Sequence, residues 1–356
     1  MLIIAANLFT SYIIPFFFVL SLLIFVHEFG HFLLAKLTGI RVERFSIGYP
    51  PRLFGKQIGD TDYCVSATPF GGYVKLSGMI DESMDTDTVK GEPWEFMSKP
   101  VWARSLVIAA GPIFNVLLTV LVFSIGTFMA GIPETIGPVV GRVVDNMPAK
   151  AAGLQENDRI LAVDQKPISS WDQLVEIIHA APDRAVLVEW ERAGEKFSAK
   201  ITPQLDKIQK IGLIGVEPKT RIRQAGLMES LTSGFVSTWR LTVLVFKSFG
   251  MLFSGEVSLK EGLGGPVRIA QLAGDSARSG FGSLLMFTAF LSLNLAILNL
   301  LPIPALDGGH LVLLLIEAVI RRPVSTKIKI VTQQIGMALL LALMVFVIFN
   351  DVINLF

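Results

Sequence analysis

Long apolar runs alternate with shorter polar stretches along this chain. Four of the runs are long enough for a helix to cross the hydrocarbon core of a bilayer, which is ~30 Å thick and takes roughly 20 helical residues. They cover about residues 12–38, 105–130, 281–303 and 334–350. The pattern predicts a polytopic α-helical membrane protein with about four transmembrane helices.

The composition supports this class of protein. Of the 356 residues, 52% are hydrophobic and only 17% are charged, which is too apolar for an ordinary soluble domain. The formal net charge is +1, without a basic or acidic tract, so we expect no nucleic-acid partner. The first apolar run lacks both a basic n-region and an A-x-A-like cleavage site. It is therefore expected to stay in the mature protein rather than act as a signal peptide.

Residues 133–218 have a different texture from the apolar runs on either side. Short β-rich runs are separated by turn signals, and WDQLVEIIHA predicts one helix whose capping box pairs Ser170 with Gln173. The segment predicts one inserted α+β domain. It resembles a PDZ domain of the permuted bacterial type, which implies binding of peptide termini by strand addition at a sheet edge. A steric cap over the membrane region is the alternative.

A polar cluster, HEFGH, interrupts the first apolar run. His27 and His31 are four residues apart, so on a helix both imidazoles face the same side at the spacing of zinc ligands. Glu28 projects about 100° away and can reach a metal-bound water without being a ligand. Histidines that only bond neighbouring helices are the alternative, but without a metal this trio has little to offset its burial in hydrocarbon.

Such a zinc site needs a third protein ligand. The segment NLAILNLLPIPALDGGHLVLLL is apolar but interrupted by prolines and glycines, and broken backbone at membrane depth is tolerated only where it lines protein or a water cavity. Asp307 and His310 are both candidate ligands there, and spacing alone does not separate them. An interfacial helix cap is the alternative role for Asp307.

These motifs together resemble the site-2 protease family of intramembrane zinc metalloproteases, and most closely its bacterial sigma-E-regulating type. The matching motifs are HEFGH for HExxH, NLLPIPALDGG for NxxPxPxLDGG, GPIFN for a glycine-asparagine motif, and FGGYVKLSG for a membrane-associated β-hairpin. The resemblance runs essentially from end to end. Many relatives have tandem PDZ domains, whereas this chain has room for one.

The resemblance implies roles for individual residues. Zinc is expected to be bound by His27, His31 and Asp307. Glu28 is expected to be the catalytic acid and base, and Asn299 to lie near the substrate backbone.

Further residues are candidates for substrate binding. The segment DYCVSATPFGGYVKLSG has strand texture on both sides of Gly71 and Gly72, so a hairpin edge there can pair with an unwound substrate. A simple amphipathic hairpin on the membrane surface is the alternative. Asn299 can bond the substrate strand through its side chain. Asn115 is ambiguous between that role and polar contacts between helices.

The zinc site constrains the membrane topology. The spans at 12–38 and 281–303 must run in the same direction for the ligands to meet. The span at 105–130 already brings the chain back to the side of the membrane where the first span begins, so no further crossing is needed before 281. Residues 229–254 are therefore expected to lie in the interface as an amphipathic helix. The expected regions are a membrane region at 1–132, the PDZ-like domain at 133–218, a connector at 219–280 and a second membrane region at 281–356.

Basic residues set the expected orientation. They follow the first span and precede the last one, which places both loops and the hairpin in the cytoplasm. The PDZ-like domain is then on the extracytoplasmic side of a bacterial cytoplasmic (inner) membrane.

The predicted function is zinc-dependent hydrolysis of peptide bonds in single-span membrane proteins. By resemblance this is regulated intramembrane proteolysis, with substrates such as an anti-sigma factor after a first cut. Two alternatives are a zinc peptidase acting on soluble segments and a non-catalytic membrane-anchored PDZ adaptor.

Overall fold

The computed structural model describes residues 9–79, 89–206, 210–256 and 264–353. The chain divides into two compact units. The membrane unit combines Met1–Gly126 with Leu227–Phe356, and the inserted unit is Thr127–Gly226.

The elements are numbered in chain order. The α-helices are α1 (Ile14–Leu37), α2 (Val101–Ala130), α3 (Pro148–Ala151), α4 (Trp171–His179), α5 (Leu227–Phe253), α6 (Pro266–Arg278), α7 (Phe281–Asn299), α8 (Asp307–Ile320) and α9 (Thr326–Ile353). The strands are β1 (Val42–Ile58), β2 (Thr61–Leu76), β3 (Ile132–Val143), β4 (Arg159–Val163), β5 (Lys166–Pro167), β6 (Val186–Arg192), β7 (Glu195–Ile201), β8 (Gln204–Leu205), β9 (Gly212–Leu213) and β10 (Val216–Arg223).

The predicted class, a polytopic helical membrane protein with an inserted α+β domain, is confirmed. Helices α1, α2, α7 and α9 form at the four predicted spans. Within the described ranges, five helices are long and apolar enough to cross a membrane, because α5 also qualifies by length and composition. The helix count is therefore one higher than expected.

Helix α5 packs lengthwise against its neighbours. A Cβ on Gly234 would lie 2.7 Å from the carbonyl oxygen of Val120 in α2. Farther along α5, Val245 packs with Leu293 and Ile297 of α7. The contacts from Gly234 to Val245 extend over about 16 Å of helix at ~1.5 Å per residue. A helix lying flat in the interface would not make them, so the structure does not support the flat arrangement expected for residues 229–254.

The close packing of α5 has a cause in its sequence. Ser230, Gly234 and Thr238 recur every four residues and are buried on one face. Small residues at this spacing let two membrane helices approach closely. From sequence alone, the amphipathic pattern of the same helix favours the interfacial position instead.

The chain nevertheless reaches α7 on the side that the ligands require. The Gly265 backbone N–H donates to Asp351 near the end of α9 at 2.9 Å. Leu284, near the start of α7, clusters with Val19 and Leu23 of α1. Helix α7 then runs in the same direction as α1, as the sequence analysis required.

Strands β1 and β2 form a bent antiparallel sheet. The first part of β1 lies between two parts of β2, since Phe45 pairs with both Val74 and Tyr63. The connecting turn is at Gly59 and Asp60.

The strand texture on both sides of Gly71 and Gly72 belongs to one strand, because β2 continues through both residues. A Cβ on Gly72 would lie 2.6 Å from the Ser46 carbonyl oxygen, so this glycine permits close backbone contact rather than a turn.

The sheet packs directly on α1. Phe45 contacts Phe25 and Phe32 of α1 with ring centroids 5.9 and 4.9 Å apart. A shared core of Ala35, Ile40 and Val42 joins helix and strand. One edge of β2 is thereby held beside the later half of α1.

The inserted unit contains a sheet in the order β10-β3-β4-β6-β7, with β5 paired to β4. Helix α4 begins as predicted, since the Gln173 N–H donates to Ser170 Oγ at 3.3 Å. Its Trp171, Leu174 and Ile178 join the core of this unit. The sheet continues beyond the expected boundary at residue 218, because β10 pairs with β3 along its whole length.

Candidate metal centre

Three side chains from distant parts of the sequence meet between α1 and α8. His27 Nε2 lies 3.1 Å from Asp307 Oδ2, and His31 Nε2 lies 3.6 Å from Asp307 Oδ1. The two imidazole Nε2 atoms are 3.1 Å apart. One donor atom from each residue therefore faces a common point.

The spacing of these donors fits a single zinc ion. Donors bound to zinc at ~2.0–2.1 Å in a tetrahedral arrangement lie about 3.3 Å from one another. The two imidazole nitrogens are 3.1 Å apart, and each has a different Asp307 oxygen at 3.1 or 3.6 Å, which is near that value. One donor atom from each of the three side chains lies within 4.8 Å of the other two. Asp307 Oδ2 is also buried without a hydrogen-bond partner among the described residues. A cation at this point would satisfy that oxygen.

The proton arrangement on His31 also suits a metal. Its Nδ1 lies 2.8 Å from the Val107 carbonyl oxygen in α2, so Nδ1 carries the hydrogen and donates it. Nε2 is then left with a free lone pair directed at the common point. Metal-bound histidines usually have such a partner on the second ring nitrogen.

His27 has a different partner on its second nitrogen. Its Nδ1 lies 3.3 Å from Asn115 Nδ2, and Asn115 is fully buried. From sequence alone, Asn115 is a candidate both for substrate binding and for contacts between helices. The structure instead brings its amide against a candidate metal ligand.

Two glycines bring α1 and α2 together at this centre. A Cβ on Gly111 would lie 2.4 Å from His31 Nε2 and 2.7 Å from His27 Nε2. A Cβ on Gly30 would lie 2.5 Å from the Ala110 carbonyl oxygen. The GPIFN motif by itself indicates no role for Gly111. The signal was a glycine four residues before Asn115 within a membrane helix.

Glu28 is beside the centre but is not one of the three converging donors. Its Oε2 accepts a hydrogen bond from the Val74 backbone N–H of β2 at 3.1 Å. The strand thereby fixes a carboxylate that would otherwise rotate freely on α1. This arrangement leaves Glu28 available for proton transfer.

Of the two candidates for the third ligand, Asp307 is the one whose carboxylate lies beside both imidazoles. Helix α8 begins at Asp307, and Gly308 fits so tightly on the preceding loop that its Cβ would lie 2.1 Å from the Leu301 carbonyl oxygen. His310 lines a separate cavity of about 40 Å³ together with Glu317 and Lys329. It does not belong to the set that converges on one point.

The remaining predicted residues lie around the centre. A Cβ on Gly71 would lie 3.1 Å from Ile24 Cδ1, which places this part of β2 about one helical turn before His27. Gly72 follows on the same strand. Asn299 is the last residue of α7 and is half-buried. Their role in substrate binding stays a prediction.

Comparison with known proteins adds independent information. The sequence matches a family model described as peptidase family M50 over residues 15–343. It is 32% identical to the zinc metalloprotease RasP of Geobacillus kaustophilus over 96% of this chain and 97% of that protein. A Rhizobium meliloti protein, provisionally named a zinc metalloprotease, is 35% identical over 96% of both chains.

One solved structure is similar to part of the chain only. It is the PDZ domain of an SdrC-like protein from Listeria monocytogenes, with 23% identity and a TM-score of 0.22. The similarity covers 24% of this chain and 90% of that one.

Proposed function

Since the chain belongs to peptidase family M50 and is a zinc metalloprotease, we propose that it hydrolyses peptide bonds of single-span membrane proteins at the centre described above. In this proposal His27, His31 and Asp307 bind the zinc, and Glu28 is the catalytic acid and base. The convergence of the three donors on one point carries the proposal.

Bound zinc lowers the pKa of its water and polarises a substrate carbonyl. Glu28 receives the proton of the attacking water and later gives it to the leaving amine. The hydrogen bond from Val74 keeps the carboxylate in place for both transfers. His31 is held in the ligating orientation by the Val107 carbonyl.

A membrane helix cannot be cut while its carbonyls are bonded within the helix. The substrate must be unwound and held extended. The Val74 N–H points away from β1 towards Glu28, so Gly72, two residues before it, presents its backbone on the same edge of β2. We propose that this edge pairs with the unwound substrate. Asn299 is proposed to bond the same strand.

The inserted unit has a groove suited to a peptide terminus. It has a volume of about 230 Å³ and lies between α4 and the segment from Gly212 to Val216. Leu174, Val175 and Ile178 give it an apolar lining. We propose that it binds a terminus of the substrate, which would apply to a membrane protein already shortened by another protease.

The proposed location is a bacterial cytoplasmic (inner) membrane. The basic residues after α1 and before α9 favour a cytoplasmic position for both loops. The inserted unit, which follows α2, is then extracytoplasmic. Cleavage would release a cytoplasmic fragment such as that of an anti-sigma factor.

The test compares purified wild type with Glu28→Gln, using a tagged single-span substrate in lipid and its loop as a soluble peptide. We expect Glu28→Gln to keep its zinc, because no donor is removed, but to cut about 10²–10⁴ times more slowly. Metal analysis of both proteins is the control.

Each alternative function predicts a different result. Equal cleavage of the soluble loop and the embedded substrate would favour a peptidase of soluble segments. Full function of Glu28→Gln in cells would favour a non-catalytic PDZ adaptor.

A further inference from the structure

Asn115 on α2 is fully buried. Its Nδ2 lies 3.3 Å from His27 Nδ1, on the side of the ring away from Asp307. Its Oδ1 is buried and has no hydrogen-bond partner in the part of the chain that the structure describes. The contact with His27 is therefore the one bond that this amide makes there.

The chemistry of His27 decides which end of the amide it needs. Its Nε2 faces Asp307 and His31, so metal binding uses the Nε2 lone pair and the ring hydrogen must be on Nδ1. An N–H group cannot bond to the Nδ2 amine, which is also a donor. A half-turn of the amide exchanges Nδ2 with Oδ1 and presents an acceptor to Nδ1.

The backbone around Asn115 is fixed by neighbouring side chains. Its carbonyl oxygen accepts from Ser292 Oγ of α7 at 2.9 Å and from Thr119 Oγ1 of α2 at 3.1 Å. The bond from Ser292 ties this turn of α2 to α7, and the bond from Thr119 lies within α2. Both bonds are made to the backbone, so the side-chain amide can still turn about its own axis.

We infer that Asn115 is a positioning residue for the metal centre, which fixes the tautomer and ring orientation of His27 by accepting its Nδ1 hydrogen through Oδ1. This assigns Asn115 to the metal rather than to the substrate. It gives His27 the counterpart of the Val107 carbonyl that orients His31. The inference rests on the proposed function of this centre.

The test measures zinc affinity by competition with a chelator in purified, detergent-solubilised protein. Asn115→Leu removes the acceptor while nearly preserving side-chain volume, and we expect zinc binding about 10–100-fold weaker. Asn115→Asp retains an acceptor and should bind zinc at least as tightly as wild type. Asn115→Ala is a second removal variant in case leucine prevents folding.

Ser124→Ala is the matched control. Ser124 lies farther along α2, is buried and donates to the Val120 carbonyl oxygen at 2.7 Å. Its substitution removes a buried hydroxyl from the same helix, and the hydrogen bond that is lost involves neither Asn115 nor His27. Zinc affinity should equal that of wild type, and the unfolding temperatures of the metal-free proteins show whether packing alone accounts for any loss.

Wild-type zinc affinity in Asn115→Leu or Asn115→Ala, with only KM for the substrate raised, would overturn the inference and favour substrate binding. Zinc binding by Asn115→Asp as weak as that of Asn115→Leu would also overturn it. A wild-type protein that binds no zinc would instead refute the proposed function, so the two failures are distinguishable.

Discussion

Replacing Gly111 with alanine should disable the metal centre by adding one methyl group. The new Cβ would lie 2.4 Å from His31 Nε2 and 2.7 Å from both Cε1 and Nε2 of His27. Ordinary contacts of a Cβ are 3.4–4 Å, so a ring must retreat by about 1 Å. Retreat of either ring moves its Nε2 relative to the other two donors.

The size of the effect follows from this displacement. A misplacement of ~1 Å at a reacting centre costs on the order of 10²-fold in rate. We therefore expect kcat/KM to fall about 10²-fold and zinc to dissociate more readily. The substitution should not harm α2 itself, because alanine is a better helix former than glycine by ~1 kcal/mol.

The assay measures zinc content and cleavage of a membrane-embedded substrate by purified Gly111→Ala. Gly126→Ala is the matched control, since it adds the same methyl group to the same helix. That methyl would meet the end of the flexible Met286 side chain, which can move aside. If Gly111→Ala binds zinc and cuts substrate as well as Gly126→Ala, the close packing of His27 and His31 on α2 is not what the structure indicates.

Two other predictions concern charged residues. Glu317→Gln should lower the free energy of unfolding by about 3 kcal/mol, because it leaves two nearly buried cations without their carboxylate. These cations are Arg104 and Lys329, and each lies 2.8 Å from a Glu317 oxygen. Thermal unfolding in detergent measures the loss. The hydrogen bond from Arg52 lowers the pKa of Asp62 in the folded protein. The stability that this carboxylate contributes is therefore complete above its ordinary pKa of ~3.9. It is lost as the pH falls through the lower pKa of the folded state. The difference in unfolding temperature between wild type and Asp62→Asn should therefore shrink in acid.

Each of these predictions has a contrasting case. Glu134→Gln breaks an exposed pair with Arg221 and should cost less than about 1 kcal/mol. An equal loss in Glu134→Gln and Glu317→Gln would contradict the argument from burial. A temperature difference for Asp62→Asn that is independent of pH would mean that the charge of Asp62 is not the cause.

The paired histidines were predictable because helical periodicity is a local property. Spacing places His27 and His31 on one face of α1, and the structure confirms both the helix and the common face. Spacing did not separate Asp307 from His310. Which of the two side chains lies beside the histidines depends on how the loop after α7 orients the first turn of α8. That orientation is a tertiary property.

Glycines gave the least reliable signal in this sequence. Gly71 and Gly72 lie within a continuous strand, where Gly72 permits a close contact with β1, while the turn is at Gly59 and Asp60. A glycine serves turns and close approaches equally well. The two roles are distinguished only by the atoms that pack against the glycine. For Gly111 these atoms belong to two side chains of a different helix, α1.

The register of β3 and β10 bears on how this protein can be re-engineered. Ile132 pairs with Arg223, so the chain enters and leaves the inserted unit on adjacent strands. Paired residues of antiparallel strands lie about 5 Å apart, a gap that two or three residues can bridge. The unit can thus be excised or exchanged as a cassette with a short linker, leaving the ends of α2 and α5 at their original separation.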